Sequence, residues 1–263
     1  MIAQVKAALS DLHASFKLAP LWGAIGWDQT RSRFQRTLLG PFWLSSGLLG
    51  MAFALSFVFG GLLGSDWRQT FEHVIYGVLA WSLMGAAIAE GANAFIVGAP
   101  MMMVQKLPLS FHVVLHMYRM VINYFCQFIV AVVLLIALRL ISIPSWTFLP
   151  AIALVTINTF FLSFIIAFPA TRFRDVSHMA GLVASVLFFL TPVFWPADKM
   201  SGTRRLLVDY NPLAHELELI RQPLMGVAPD PSHWIWSIGI CIIGFITTVI
   251  LLAMFRKRVI FWM

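Results

Sequence analysis

Residues 234–255 read WIWSIGICIIGFITTVILLAMF, 22 positions without one charged side chain, and Arg256, Lys257 and Arg258 follow at once. As an α-helix this run is about 33 Å long, against a bilayer hydrocarbon core of about 30 Å. It is twice the length of a membrane strand and does not alternate polar with apolar positions, so a helix is preferred to a barrel. Similar apolar runs fall at residues 41–63, 73–95, 117–138, 148–168 and 176–197. The set predicts an all-α, polytopic membrane protein with six transmembrane helices.

Composition agrees. Of the 263 residues 60% are hydrophobic and 11% charged, more apolar surface than a water-soluble core could hide. One membrane domain is expected, with residues 1–40 as an amphipathic helix and basic arm and 41–197 as spans one to five. Residues 198–233 then form an external segment, and 234–263 are span six with a basic tail. The first long apolar run starts only at Pro41, after Lys6, Lys17, Arg31, Arg33 and Arg36, so no cleavable signal peptide is expected. Twelve of the eighteen Lys and Arg residues fall with the termini and the even-numbered loops, which predicts both termini in the cytoplasm. Cys126 and Cys241 lie in apolar runs without paired or metal-site spacing.

Several segments are not simple spans. Residues 4–18 place Val5, Leu9, Leu12 and Phe16 at helical spacing with Lys6, Asp11 and His13 between them, a pattern for a helix lying on the inner leaflet. Arg31, Arg33 and Arg36 precede the first span, as topology anchors or as a site for anionic headgroups. Residues 97–113, VGAPMMMVQKLPLSFHV, frame an apolar stretch between Pro100 and Pro108. Its Met101, Met102 and Met103, beside Lys106, predict either a docking loop for a partner protein or a loop dipping into the membrane. Pro169 should end the fourth span. Beyond it Arg172 and Arg174 are left to face phosphate or substrate, while Asp175 suits the start of the fifth helix.

In residues 198–233, Leu213, Leu217, Ile220 and Leu224 form an apolar helical stripe. Asn211 and Pro212 start that helix, Pro223 and Gly226 end it, and Pro192 and Pro196 break the span before it. A partly re-entrant external element follows from this pattern. Glu90 and Arg119 fall at similar depth near the inner boundary, where an interhelical ion pair and a role at the cytoplasmic mouth are both open.

Catalytic constellations do not assemble. His112 and His116 are four apart but lack an acidic third ligand, so no metal is expected. His215 and Glu216 begin a HisGluXaaXaaHis pattern that fails at Leu219, and no phosphate loop or nucleophile elbow occurs. Carboxylates near the midplane, the usual mark of an ion-coupled transporter, are missing from the runs. Asn123, Thr156, Asn158, Thr159 and Ser163 suit interhelical hydrogen bonds instead. If the protein does work, the energy comes from elsewhere.

The ordered stretches RFQRTLLGPFW (33–43), KLP (106–108), RFRDV (172–176), TPVFWP (191–196) and NP (211–212) resemble the membrane subunits of type-2 ABC exporters. The likeness is strongest to those exporting lipid-linked polysaccharides such as O-antigen or capsule. It implies a homodimer of this chain with two copies of a separate subunit that binds ATP and Mg, this chain holding no cofactor. It implies too that the amino-terminal helix and the loop with Met102, Met103, Lys106 and Pro108 contact the ATPase. The external helix with Leu213, Leu217, Ile220 and Leu224 becomes a gate.

A pore lined by aromatic side chains follows from the same resemblance, with Phe53, Phe57, Phe188, Phe189 and Trp195 as candidates; packing against lipid or between helices is the other reading of each. Sugar CH faces stack on aromatic rings. An undecaprenyl-pyrophosphate-linked glycan is expected to enter from the inner leaflet of the bacterial inner membrane. Its pyrophosphate meets some of Arg31, Arg33, Arg36, Arg172 and Arg174. A drug exporter on the same scaffold and a non-transport assembly factor are the competing readings.

Overall fold

A computed structural model describes residues 2–35, 40, 42–63, 66–197 and 200–262, and the chain there is helical with no strand. Arg36, one of the headgroup candidates, lies outside the described residues. The helices are α1 (Ile2–Lys17), α2 (Ala19–Phe34), α3 (Phe42–Leu63), α4 (Trp67–Ala89), α5 (Ala94–Val104) and α6 (Leu109–Ala137). Then follow α7 (Phe148–Arg172), α8 (Arg174–Leu190), α9 (Leu206–Asp209), α10 (Pro212–Leu224), α11 (Pro231–Phe255) and α12 (Val259–Trp262).

Among the described residues four helical stretches are long and apolar enough to cross a membrane: Trp67–Val104, Leu109–Ala137, Phe148–Arg172 and Pro231–Phe255. The protein is thus a multi-pass α-helical membrane protein. Expected spans one and five are present as α3 and α8 but fall short of that measure. The described apolar part of α3 is Ser45–Gly61, and α8 has 17 residues, about 26 Å, beginning with the polar run Arg174, Asp175, Ser177 and His178.

Helix ends follow local chemistry in some places and depart from it in others. Asp66 caps α4 by accepting from the Arg68 amide, and Asn211 caps α10 by accepting from the Leu213 amide at 3.0 Å, with Pro212 in the first turn. Gly226, at φ 80°, closes α10 with the Val227 amide reaching back to the Gln222 carbonyl. Pro169 does not end α7, which runs on to Arg172. Within a packed bundle the one backbone bond that proline removes is tolerated. The second span likewise continues through a 3₁₀ turn at Gly91–Asn93 into α5, so Met101, Met102 and Met103 are helical and only residues 105–108 form the turn. The basic arm is helical as far as Phe34, with Arg31 and Arg33 in the last turn of α2, where the helix dipole favours cations.

The centre of the bundle is α4, buried from Thr70 to Ile88 on most sides and touched by α3, α6, α7, α8 and α10. A main core cluster gathers Phe71, Ile75, Leu79, Leu83 and Met84 of α4 with Leu217, Ile220 and Leu224 of α10 and Phe188 of α8. The stripe expected on α10 is therefore its buried face, with Leu213 half-buried at the cluster's edge. A second cluster joins Ala8 and Leu12 of α1 to Phe95, Phe164, Phe168 and Leu252 at the other end of the bundle.

The chain after α8 sets the geometry at the α10 end. Thr191 turns extended before Pro192, and the helix stops there. The Pro192 and Val193 carbonyls face inward and accept from Arg221 Nη1 at 2.8 and 3.5 Å. Arg221 is 2% exposed, and it also pairs with Glu218 and meets His73 Nε2 at 3.0 Å. Gly77 of α4 admits this segment, because a Cβ there would overlap the Val193 carbonyl oxygen. Gly77→Ala is expected to lose about 1–3 kcal/mol of stability through overpacking. Gly239→Ala, whose Cβ meets open space on α11, is expected to be neutral or slightly stabilising. Thermal unfolding of the two variants in one detergent checks the contrast.

Candidate functional site

A cavity of about 440 Å³ opens between α3, α4, α6 and α8. Its walls combine the faces of Trp81, Phe188 and Phe189 with the hydroxyls of Ser82 and Ser185 and the amide of Gln127. Gly47, Gly85 and Gly181 also line it, and a Cβ at Gly85 would overlap the Trp81 indole. Phe188 is held edge-on by Trp81 at 5.8 Å and stacked on Phe194 at 5.6 Å, while Phe189 is 61% exposed. Trp195 lies beside them, its indole N–H donating to the Phe189 carbonyl at 3.2 Å. Of the five aromatic candidates, then, Phe188 and Phe189 line this groove and Trp195 adjoins it. Phe57 is 84% exposed on α3, and Phe53 packs on Phe71 at 4.6 Å, outside the groove wall. Apolar, aromatic and hydroxyl surface in one groove suits a ligand with alternating CH and OH faces.

At the opposite end from α10, α1 packs on α6 and α11, and α2 packs on α6. The amino terminus of α6 follows Pro108, which offers no side-chain cap. Asp11 of α1 supplies one from 98 residues away: its carboxylate accepts from the Leu109 amide at 3.1 Å, the Ser110 amide at 2.9 Å and the Ser110 hydroxyl. A carboxylate on the positive end of a helix gains both hydrogen bonds and dipole. Arg256 closes the same end, donating to the Ala7 carbonyl at 2.8 Å. The turn holding Lys106 and Pro108 is thus bolted to α1, with Lys106 and Met103 exposed and Met102 packed against the cluster below. Sequence spacing put Asp11 on the polar face of α1 but held no sign of its partner, because the capped amides lie far along the chain.

The arginine candidates do not converge. Arg31 and Arg33 are exposed at the end of α2, and Arg174 is exposed at the start of α8. Arg172 lies over the rings of Phe173 and Trp262, at 5.3 and 5.5 Å, which ties it to α12. Glu90 sits at the 3₁₀ turn after α4. Among the described residues the ion pairs closer than 4.0 Å are Arg205–Asp209 and Glu218–Arg221, so Glu90 and Arg119 do not close one. Arg119 instead feels both Glu90 and Arg33 of α2. It lines a small cavity of about 40 Å³ with Gln29, His112 and His116. His112 and His116 are 2% and 8% exposed, and their buried ring nitrogens include three without a hydrogen-bond partner. No group of three or more metal-ligating His, Cys, Asp or Glu side chains assembles among the described residues.

Two further cavities flank the bundle. One of about 530 Å³, lined mainly by apolar side chains, lies between α1, α2, α6, α7 and α11. The other, about 360 Å³ at the α10 end, gathers His73, His215, His233, Glu218 and Asp230. In it His215 and His233 meet Nδ1 to Nδ1 at 2.8 Å.

Asp11→Ala is expected to cost about 1–2 kcal/mol, the usual loss of a helix cap. Amide exchange at Leu109, Ser110 and along α1 should accelerate about tenfold while the α4 core keeps its protection, as hydrogen-exchange mass spectrometry would resolve.

Residues 20–225 match the family described as ABC-2 type transporter. Over 227 residues, 86% of each chain, the protein is 23% and 24% identical to two proteins of Klebsiella pneumoniae named O-antigen export system permease protein RfbA. A protein of the same name from Myxococcus xanthus is 24% identical over 184 residues, 61% of this chain and 67% of its own. The matched region runs from the start of α2 to the end of α10 and so takes in the aromatic groove, the capped turn and the segment between α8 and α10. The chain belongs to the ABC-2 type transporter family.

Proposed function

We propose that this protein is the membrane subunit of an ABC exporter for lipid-linked polysaccharide of the O-antigen type, driven by ATP hydrolysis in a separate subunit. The observation that carries the reading is the groove of Trp81, Phe188 and Phe189 beside Ser82, Ser185 and Gln127, whose mixed surface fits sugar rings. The names of the relatives support the same substrate class. The chain acts without an enzymatic site of its own; ATP and Mg belong to the partner.

In this reading the chain crosses the bacterial inner membrane six times, with α3 and α8 as spans one and five and both termini cytoplasmic. It works as a homodimer with two ATPase subunits. The ATPase docks on α1 and on the exposed Met103 and Lys106. Because Asp11 joins those two elements, nucleotide-driven movement reaches α6 directly. The substrate pyrophosphate meets some of Arg31, Arg33, Arg36 and Arg174 at the cytoplasmic mouth, and α10 gates the opposite side. Arg172 contributes least, being occupied by Phe173 and Trp262.

Deleting the gene is expected to remove long-chain surface polysaccharide, and the wild-type chain to restore it. Phe189→Ala, at an exposed position, should restore it about 2- to 10-fold less well, the scale of one aromatic stacking contact. A deletion that leaves surface glycan intact, with ATPase activity stimulated by small molecules, would instead identify a drug exporter. Copurification without any ATPase would identify an assembly factor. Separately, Arg33→Glu combined with Arg36→Glu should abolish export while membrane levels stay unchanged; normal export by that variant removes the headgroup role.

A further inference from the structure

Glu216 is the most buried carboxylic acid among the described residues, at 3% exposure. It projects from α10 to Asn158, the eleventh of the 25 residues of α7 and so near the middle of a membrane-crossing helix. Asn158 Nδ2 donates to Glu216 Oε1 at 2.7 Å, and approaches the Ser237 hydroxyl at 2.9 Å and the Ser237 carbonyl at 3.0 Å on α11. Two oxygens in this knot have no partner: Glu216 Oε2 and Asn158 Oδ1. Both are acceptors if the acid is ionised, and a buried acceptor without a donor is costly.

One added hydrogen resolves both. A carboxylic acid and a primary amide pair edge to edge, the amide N–H donating to one carboxyl oxygen and the carboxyl O–H donating to the amide oxygen. We propose that Glu216 is a proton-binding site, in which Oε2 carries the proton and donates to Asn158 Oδ1, and that this neutral pair latches α10 onto α7 and α11. Release of the proton to water leaves a carboxylate in a site without a cation, and the latch loosens as that charge seeks solvent. The role of the latch as a gate control rests on the exporter reading above; the proton site does not.

The surrounding charges do not supply a substitute partner. From α7 the site receives Asn158 and no ionisable side chain. From α11 it receives Ser237, with the Cys241 thiol within electrostatic reach and His233 engaged by His215. On α10 itself His215 also meets the Asp209 carbonyl, and Arg221 is taken by Glu218 and the Pro192 carbonyl. Of the α4 side chains at this end, His73 sits on Arg221 and Glu72 accepts from the Ser142 hydroxyl at 2.6 Å. Burial accordingly pushes the Glu216 carboxyl up to about 7, against the opposing pull of the Ser237 and Asn158 hydrogen bonds. The folded-state value lies above the ordinary 4.5, so the stabilisation is complete below about pH 4.5 and is lost as pH rises through about 7.

The test uses the purified full chain in lipid nanodiscs. Infrared difference spectra of the wild type should contain a protonated-carboxyl carbonyl band that disappears on titration across neutral pH, and thermal stability should fall over the same range. Glu216→Gln, neutral at every pH and still able to donate to Asn158 Oδ1, should lack the band and flatten the stability profile. Should that variant fail to insert, Asn158→Leu serves: it removes the amide donor to the carboxyl oxygen, so the protonated-carboxyl band should move to higher wavenumber, and an unchanged band position overturns the pairing with Asn158. Absence of a titrating band in the wild type, or a pH profile unchanged in Glu216→Gln, overturns the proposal. Neither readout requires substrate or an ATPase, so a titrating band in a chain that does not export glycan supports the proton site and counts only against the exporter reading.

Discussion

Where α8 stops, the Pro192 and Val193 carbonyls lose their helical donors inside a bundle with little water, and the arrangement of the α10 end follows from satisfying them. The Arg221 guanidinium meets that need, with Glu218 balancing its charge and His73 joining it to α4. An arginine can do so only if α10 enters the bundle. Once α10 is inside, its apolar stripe has α4 to pack against, and Gly77 leaves space for the broken segment. Breaking such a buried pair by removing one partner is far more damaging than never having built it. The irregular backbone, the buried charge and the packed α10 are one interdependent construction.

The two ends of the molecule are built on different principles. At the α10 end buried polar groups are joined by side chains within one short helix and its neighbours, a local solution in which Asn158 and Ser237 also take part. At the α1 end a single carboxylate, Asp11, holds the first amides of α6, while Leu12 and Ala8 pack into the apolar cluster beneath. The central helix α4 runs between them and continues through Gly91–Asn93 into α5. A displacement of α1 therefore bears on α6 through hydrogen bonds and on α5 and α7 through packing. Helices of this stiffness carry such a displacement without needing a dedicated path.

Much of the fold was legible because it depends on periodicity and on local chemistry. The apolar runs are continuous in sequence, and the amphipathic α1, the Asn211 cap, the break at Pro192 and the stripe on α10 each involve residues within about three turns of one another. Pro169 and Pro100 show the limit of that reasoning. Inside a helix a proline removes one backbone bond, yet α5 and α7 run on through Pro100 and Pro169, whereas α8 stops before Pro192, which follows an extended Thr191. Neighbouring helices decide whether the broken turn is held in place.

By itself, then, the sequence determined that this is a helical membrane protein, where its apolar helices lie and which short stretches carry family likeness, since hydrophobicity, capping and proline act over a few residues. Tertiary structure alone decided that Asp11 meets Leu109 and Ser110, that Phe188 and Phe189 share a groove with Trp81 while Phe53 and Phe57 do not, and that Arg119 closes no ion pair with Glu90. It also decided that Glu216, one position in a failed metal motif, sits beside Asn158 in the middle of the bundle. Each of these is a contact between residues far apart in the chain, set by helix packing and by the need to satisfy buried polar atoms, and no local pattern encodes that choice.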